Sequence, residues 1–482
     1  MAAAAAASSP WSSHRDELPH VAIFPFMARG HTVPLIHLAG LLRRRSLATV
    51  TLFTTPANAS FVRRTLEDDD DDVAVVELPF PAGGAVACVE DLDSISSFPA
   101  FVESVSALRP PLVSSLAALR RRHRAAGILL VADAILYWAH AAAADIAVPT
   151  VEFFATGMFA HVVRDVLVRD NPAAVLLAGG EPEFAVPEFP HVRLTLADIP
   201  IPFNDPSPAG PIVEMDAKLA NAITGSGGLV VNTFDAMEAQ YIQHWDRHHA
   251  SHRAWPIGPL CLARSPPGQT TGDVTPPSWL KWLDEKEAAG RAVLYVGLGT
   301  LISVGNAQLR EIASGLEEAG VDFIWAVRPS DADLGEGFEE RVEGRGLVMR
   351  EWVDQWWILR HDCVKGFLTH CGWNAVVEGI SAGVPLAVWP MGVDQPLNAV
   401  LVVQELRIGV RVLPPKSAAT TGHELVGREE IARVVRQLMM MDETETRRKV
   451  WVARRQGMSL HWRPRQGRRS PRVVHHGRHW RR

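Results

Sequence analysis

Apolar and polar positions along this chain follow two rhythms. Short unbroken apolar runs alternate with longer stretches in which apolar residues recur every three or four positions. The runs at 20–26, 48–53, 73–78, 128–132 and 150–154 predict buried strands. Helices are predicted between them, from His31 to about Arg44 and over 101–123. Pro and Gly then gather from Trp255 to Pro277, the signature of a linker. The same alternation restarts with strand 292–296, helix 306–319 and strands 322–327, 346–349 and 364–368. Helix 373–382 and strand 386–389 follow it. Strands that read as continuous apolar runs, separated by helices, imply parallel sheets covered on both faces. The expected fold class is α/β, with two doubly wound domains facing across a cleft. Its divisions are a disordered leader (1–18), a first domain (19–254), the linker (255–280), a second domain (281–445) and a basic tail (446–482).

Composition adds limits. With 482 residues, 47% of them hydrophobic, the chain can bury large cores. Its four cysteines, Cys88, Cys261, Cys363 and Cys371, form no CxxC pair, as expected of reduced thiols in the cytoplasm. The Ala/Ser run at the start lacks a basic segment and a Leu-rich core, so it does not read as a signal peptide. The longest apolar stretch, 128–160, is interrupted by Asp133, His140, Asp145 and Glu152, which excludes a membrane span there. From Arg447 onward there are twelve Arg and one Lys but no Asp or Glu, in a chain of net charge −6. Pro464 and Pro471 break any long helix in that tail. Its lost apolar periodicity is what a shifted reading frame would produce.

The window from Trp352 to Gln395 carries the most chemistry. An apolar run ends in Thr369-His370-Cys371-Gly372-Trp373-Asn374, a helix follows, Gly383 stops it and Pro385 forbids its continuation. That turn presents backbone N–H groups and a positive helix end beside His370 and Asn374, which suits a diphosphate. Glu378, four residues after Asn374, shares its face and can accept hydrogen bonds from vicinal sugar hydroxyls. No metal-ligand spacing is evident.

This window resembles the signature box of plant secondary-product glycosyltransferases, the family 1 enzymes that use a UDP-sugar. The match covers Trp352, Gln355, His361, His370, Gly372, Trp373, Asn374, Glu378, Pro385, Trp389, Pro390, Asp394 and Gln395. Asp354 stands where Pro is usual, and Ala375 replaces a frequent Ser. The turn Gly297-Leu298-Gly299-Thr300 departs from the family's Ser-Phe-Gly-Ser/Thr. The resemblance implies the GT-B fold, two Rossmann-like domains, with the UDP-sugar held by the second and the acceptor by the first. It implies donor-binding roles for Thr300, Trp352 (stacked on uracil), Gln355, His370, Gly372, Trp373, Asn374, Glu378, Asp394 and Gln395. A terminal Gln leans toward glucose. It also implies that neutral donors and helix ends replace a metal at the diphosphate, and UDP-glucose is a co-substrate with no further cofactor.

Transfer to a hydroxyl needs a base. His31, in Gly30-His31-Thr32-Val33-Pro34, follows the first strand and occupies the family's catalytic position. Asp133 ends the run 128–132, where a carboxylate is costly unless paired, so it is expected either to orient His31 or to cap a helix. Phe26, Trp138, Phe153, Phe154, Met158 and Phe203 are candidates for an apolar acceptor pocket. The expectation is an inverting O-glucosyltransferase acting on a small lipophilic acceptor of phenolic, flavonoid or terpenoid type. It is expected to be cytoplasmic and monomeric, with neither nucleic acid nor membrane as partner. The alternative is a UDP-sugar-binding protein impaired by its tail. A nicotinamide enzyme is disfavoured, because Met27-Ala28-Arg29-Gly30 replaces GxGxxG after the first strand.

Overall fold

The computed structural model describes residues 18–66, 72–80, 86–92, 94–179, 182–249, 251–264, 277–299, 304–328, 333–413 and 425–441. The expected leader, almost all of it, the 446–482 tail and Thr300 lie outside these residues.

Two parallel sheets carry the fold, as the apolar runs predicted. The first joins β1 (His20–Phe24), β2 (Thr49–Thr54), β3 (Ala74–Glu77), β4 (Ile128–Asp133) and β5 (Thr150–Phe154). Beyond the hairpin β6 (Phe184–Val186) and β7 (Phe189–Leu194), it adds β8 (Leu229–Val231) and β9 (Ala254–Pro256). Its order is β3-β2-β1-β4-β5-β8-β9. The second sheet is built from β10 (Val293–Gly297), β11 (Asp322–Ala326), β12 (Gly346–Met349), β13 (Val364–Thr369), β14 (Leu386–Val388) and β15 (Gly409–Arg411). It is ordered β12-β11-β10-β13-β14-β15. The strand order therefore reverses between β1 and β4 in one sheet and between β10 and β13 in the other. Ligands of doubly wound sheets bind at such switch points. The fold is GT-B.

Helices α1 (Arg29–Arg44), α2 (Phe98–Val105), α3 (Arg109–Arg122), α4 (Asp235–His248) and α5 (Asn306–Ala319) cover the sheets. So do α6 (Gln355–Leu359), α7 (Trp373–Ala382), α8 (Gln395–Val400) and α9 (Arg428–Met439). The single helix expected over 101–123 is corrected to α2 and α3. Pro110 and Pro111 suit the first turn of a new helix, whereas inside a continuous one each would remove a backbone hydrogen bond and clash with the preceding turn. Similarly β1 stops before Pro25 and β14 before Pro390. Part of the expected linker is structured: Trp255 and Pro256 belong to the edge strand β9, where a proline is tolerated. A short 3-10 turn, Leu260–Ala263, then packs its Leu260 into the core beneath α1. Residues 265–276 lie outside the described set.

One face of the first sheet packs Val21, Ile23, Leu52 and Phe153 against Leu35 and Ile36 of α1. Its other face buries Phe24, Phe53, Phe101, Leu116 and Trp138. A further core runs across both halves, joining Met158, Phe159, Tyr241 and Trp245 to Trp356, Phe367 and Trp373. A shared apolar core of this kind fixes how the halves face one another.

Candidate active site

Backbone register brings His31 and Asp133 together. β1 pairs with β4, with Phe24 opposite Ala132, so the segments leaving both strands emerge side by side. His31, in the first turn of α1, then directs Nδ1 to Asp133 Oδ2 at 2.8 Å across 102 residues of sequence. The Asp133 side chain is 1% exposed and that of His31 27%. Asp133 Oδ1 also accepts the Ile135 backbone N–H at 3.0 Å, so the carboxylate both caps the following turn and orients the ring. With Nδ1–H engaged, Nε2 keeps the lone pair that can take a proton. Burial disfavours the imidazolium, but the charge and hydrogen bond of Asp133, with Asp394 and Glu90 further off, outweigh it and raise the His31 pKa.

The signature window lies opposite. Gly372 precedes α7 in extended conformation, and Gly383 ends it in the left-handed region at φ 84°. Cys371 is forced to φ 67°, unusual for a side chain with a Cβ. It is held there by Thr369 Oγ1 on its N–H (3.2 Å) and by Asn398 Nδ2 on its carbonyl (3.0 Å). This turn sets His370 between Gly299 and Gly372: a Cβ at either glycine would come within 2.7 or 2.5 Å of Nε2. Burial lowers the His370 pKa, against smaller contributions from the Gly297 backbone and Asp394. Gln355 Nε2 donates to Glu378 Oε2 at 2.6 Å. Burial, with a smaller push from Asp354, drives Glu378 up to about 7, against Gln355 and Arg264. Trp352 is 66% exposed, a bare ring beside the β12 end.

Contacts between the halves close the cleft. Asn374 Nδ2 donates to the Gly30 carbonyl at 2.5 Å, one residue from His31. Asp394 Oδ2 accepts from Thr156 Oγ1 (2.5 Å) and Asn398 Nδ2 (2.8 Å). Gln395 Oε1 accepts from the Met391 and Gly392 N–H groups at 2.8 and 3.1 Å, tying down the preceding turn. Trp373 is buried, its indole donating to the Asn232 carbonyl at 3.0 Å and its ring lying where a Cβ on Gly157 would clash. Trp373 thus joins the halves.

The candidate acceptor residues scatter. Phe26 stands edge-on to His31 at 5.7 Å. Phe154 lies against His161 at 4.7 Å, and Phe203 packs at the rim of the shared core. Phe153 and Met158 are fully buried, in different cores, and Trp138 packs under the sheet against Phe24. Sequence reasoning missed Thr156, Asn232 and Arg264, which touch the window from the first half. No local motif marks them.

Residues 275–412 match the family described as UDP-glucoronosyl and UDP-glucosyl transferase. UDP-glycosyltransferase 90A1 of Arabidopsis thaliana is 35% identical over 441 residues, 89% of this chain and 90% of that protein. The chain belongs to the plant UDP-glycosyltransferases. UDP-glucose flavonoid 3-O-glucosyltransferase 7 of Fragaria ananassa is 34% identical, over 89% of this chain and 90% of its own length. Among solved structures, Glycyrrhiza uralensis UGT73P12, complexed with glycyrrhetinic acid 3-O-monoglucuronide, superposes with a TM-score of 0.76. It is 28% identical, over 92% of this chain and 91% of that one. Phytolacca americana UGT2, complexed with UDP-2fluoro-glucose and pterostilbene, gives 0.71 at 26% identity, over 91% of this chain and 94% of that one. The chain is a UDP-glycosyltransferase with the family's fold. Among its described residues no helix is long and apolar enough to cross a membrane.

Proposed function

We propose that this UDP-glycosyltransferase transfers glucose from UDP-glucose, with inversion, to a hydroxyl of a small lipophilic acceptor in plant secondary metabolism. The observation that carries the reading is the His31–Asp133 pair at one switch point, facing the His370–Asn374 turn at the other. His31 Nε2 takes the acceptor's hydroxyl proton while the freed oxygen attacks the anomeric carbon. The bond from that carbon to the β-phosphate oxygen breaks on the opposite face, so UDP leaves with the electron pair. Asp133 stabilises the imidazolium that forms. The N–H groups opening α7, with His370 and Asn374, receive the growing diphosphate charge. Thr300 joins them in this reading, from outside the described residues. Trp352 stacks on uracil, Gln355 and Glu378 meet the ribose, and Asp394 and Gln395 meet the sugar hydroxyls. The diphosphate is neutralised by these groups, with no metal, and the enzyme works as a cytoplasmic monomer. Phe26 is the acceptor-side wall best placed beside His31.

Incubation with UDP-glucose and a panel of phenols and terpenoid alcohols should give products heavier by one hexose, with β-configuration by NMR. Calorimetry that detects no UDP-glucose binding would remove the donor assignment. Binding without turnover on any acceptor would support the impaired-enzyme alternative.

A further inference from the structure

Asp354 occupies a position where the signature box ordinarily has proline, and the structure shows what the replacement does. It is the N-cap of α6, at φ −79°, inside the range a proline ring imposes. Among the described residues its N–H donates no hydrogen bond, so a proline would fit there. The Asp354 side chain makes no capping bond to its own helix. It meets the Arg264 fork instead, Nη1 to Oδ1 at 2.8 Å and Nη2 to Oδ2 at 2.5 Å. Both side chains are less than a fifth exposed. The Arg264 guanidinium also lies over the Trp357 ring, 5.6 Å from its centre, so it grips α6 at the cap and again three residues on. Arg264 is itself anchored, because Arg44 at the far end of α1 donates to the carbonyl of the adjoining Ala263 at 2.5 Å.

We propose that Arg264 and Asp354 form a positioning pair that does by an interhalf ion pair what proline does by its ring: it fixes the start of α6, and so places Trp352 and Gln355 for the nucleoside. A free N-cap residue with an open φ would let Trp352, two residues earlier, and Gln355, the next residue, wander. The bidentate fork restores that rigidity with directional bonds. A pair this enclosed gains little stability over an apolar one, which fits a role in geometry. The inference rests on the donor-site reading above.

UDP affinity by calorimetry and steady-state kinetics test it on five proteins: wild type, Asp354→Ala, Asp354→Pro, Arg264→Met and, as the rescue, Arg264→Met/Asp354→Pro. Asp354→Ala, lacking both fork and ring, should bind UDP about tenfold more weakly, about 1.4 kcal/mol. Asp354→Pro should bind about tenfold more tightly than Asp354→Ala. Arg264→Met should resemble Asp354→Ala, and adding Asp354→Pro to it should recover most of the loss. In each variant KM for the donor should carry the change, with kcat at saturation moving less than about threefold, since an effect confined to binding leaves kcat alone. Equal affinity in Asp354→Ala and Asp354→Pro overturns the inference while leaving the donor site intact. So does failure of the rescue. Absence of UDP binding in the wild type overturns the donor-site reading, and the inference with it.

Discussion

Two histidines stand at the switch points of the two sheets, and their surroundings set them oppositely. His31 has Asp133 on Nδ1 at 2.8 Å, with Asp394 and Glu90 in its field, and these overcome burial to raise its pKa. His370 is wedged between Gly299 and Gly372, and there burial prevails and lowers its pKa. On the proposed mechanism, the first ring accepts a proton and holds the resulting charge. The other stays neutral, able to donate a hydrogen bond without a permanent charge. The lesson is that neighbours assign the role, through the balance of desolvation against a paired carboxylate.

The strongest way to break this comparison is His31→Ala. Turnover should fall about 10³-fold, within the range a positioned general base contributes, while UDP-glucose affinity by calorimetry stays close to wild type. Wild-type turnover in that variant would move the base elsewhere. Asp133→Asn comes next, with a loss on the order of 10²-fold, the lower end of that range. Its pH profile is the sharper reading. His31 works as a base only when neutral, so kcat falls as pH drops through its pKa. Asp133 raises that pKa, so removing its charge should shift the acidic limb to lower pH. A limb that does not move would mean that His31 does not set it.

The same contrast explains what was legible. The donor window is contiguous, and its geometry follows from local rules: a glycine that stops α7, a proline that starts nothing helical, a carboxylate one turn after an amide. Gln355 meets Glu378 across only 23 residues. The His31–Asp133 pair spans 102 residues, and what pointed to it was the family's catalytic position for His31 and the cost of a bare carboxylate at a strand end, not any local spacing. Strands β8, β9 and β15, of three residues each, are too short to show periodicity. The apolar acceptor candidates could not be sorted, because Phe153 in a core and Phe26 beside His31 look alike in a chain. Thr156 and Asn232 escaped because each acts on residues more than a hundred positions away, with nothing local to mark them.

Glu378 sharpens the comparison from the donor side. On the proposed donor reading, Glu378→Gln removes a charge-assisted hydrogen bond to the ribose hydroxyls, and donor KM should rise about tenfold. Because burial pushes Glu378 up to about 7, the wild-type carboxylate is protonated as pH falls below that value. Wild-type KM for UDP-glucose should therefore climb between pH 8 and pH 6, while the variant's KM stays flat. Parallel curves would mean that Glu378 does not touch the donor in its charged form.

The smallest expected effect concerns Gln395. Its carbonyl oxygen already holds two backbone N–H groups of the preceding turn, so only the amide nitrogen can serve the sugar. That turn also contains Val393, a β-branched residue at φ 55°, and it leads into Asp394. Gln395→His supplies one acceptor nitrogen where the amide oxygen served two donors. One N–H then loses its partner, at a cost of about 1 kcal/mol in stability, while loss of the amide nitrogen's proposed bond to the sugar, also worth about 1 kcal/mol, should lower kcat/KM for UDP-glucose about fivefold. Glucose and galactose differ only in the orientation of the 4-hydroxyl, and a ring nitrogen in place of the amide changes which orientation finds a partner. The ratio of UDP-galactose to UDP-glucose turnover should rise several-fold. A lower melting temperature with an unchanged donor ratio would confine Gln395 to supporting the turn and leave sugar selection to Asp394.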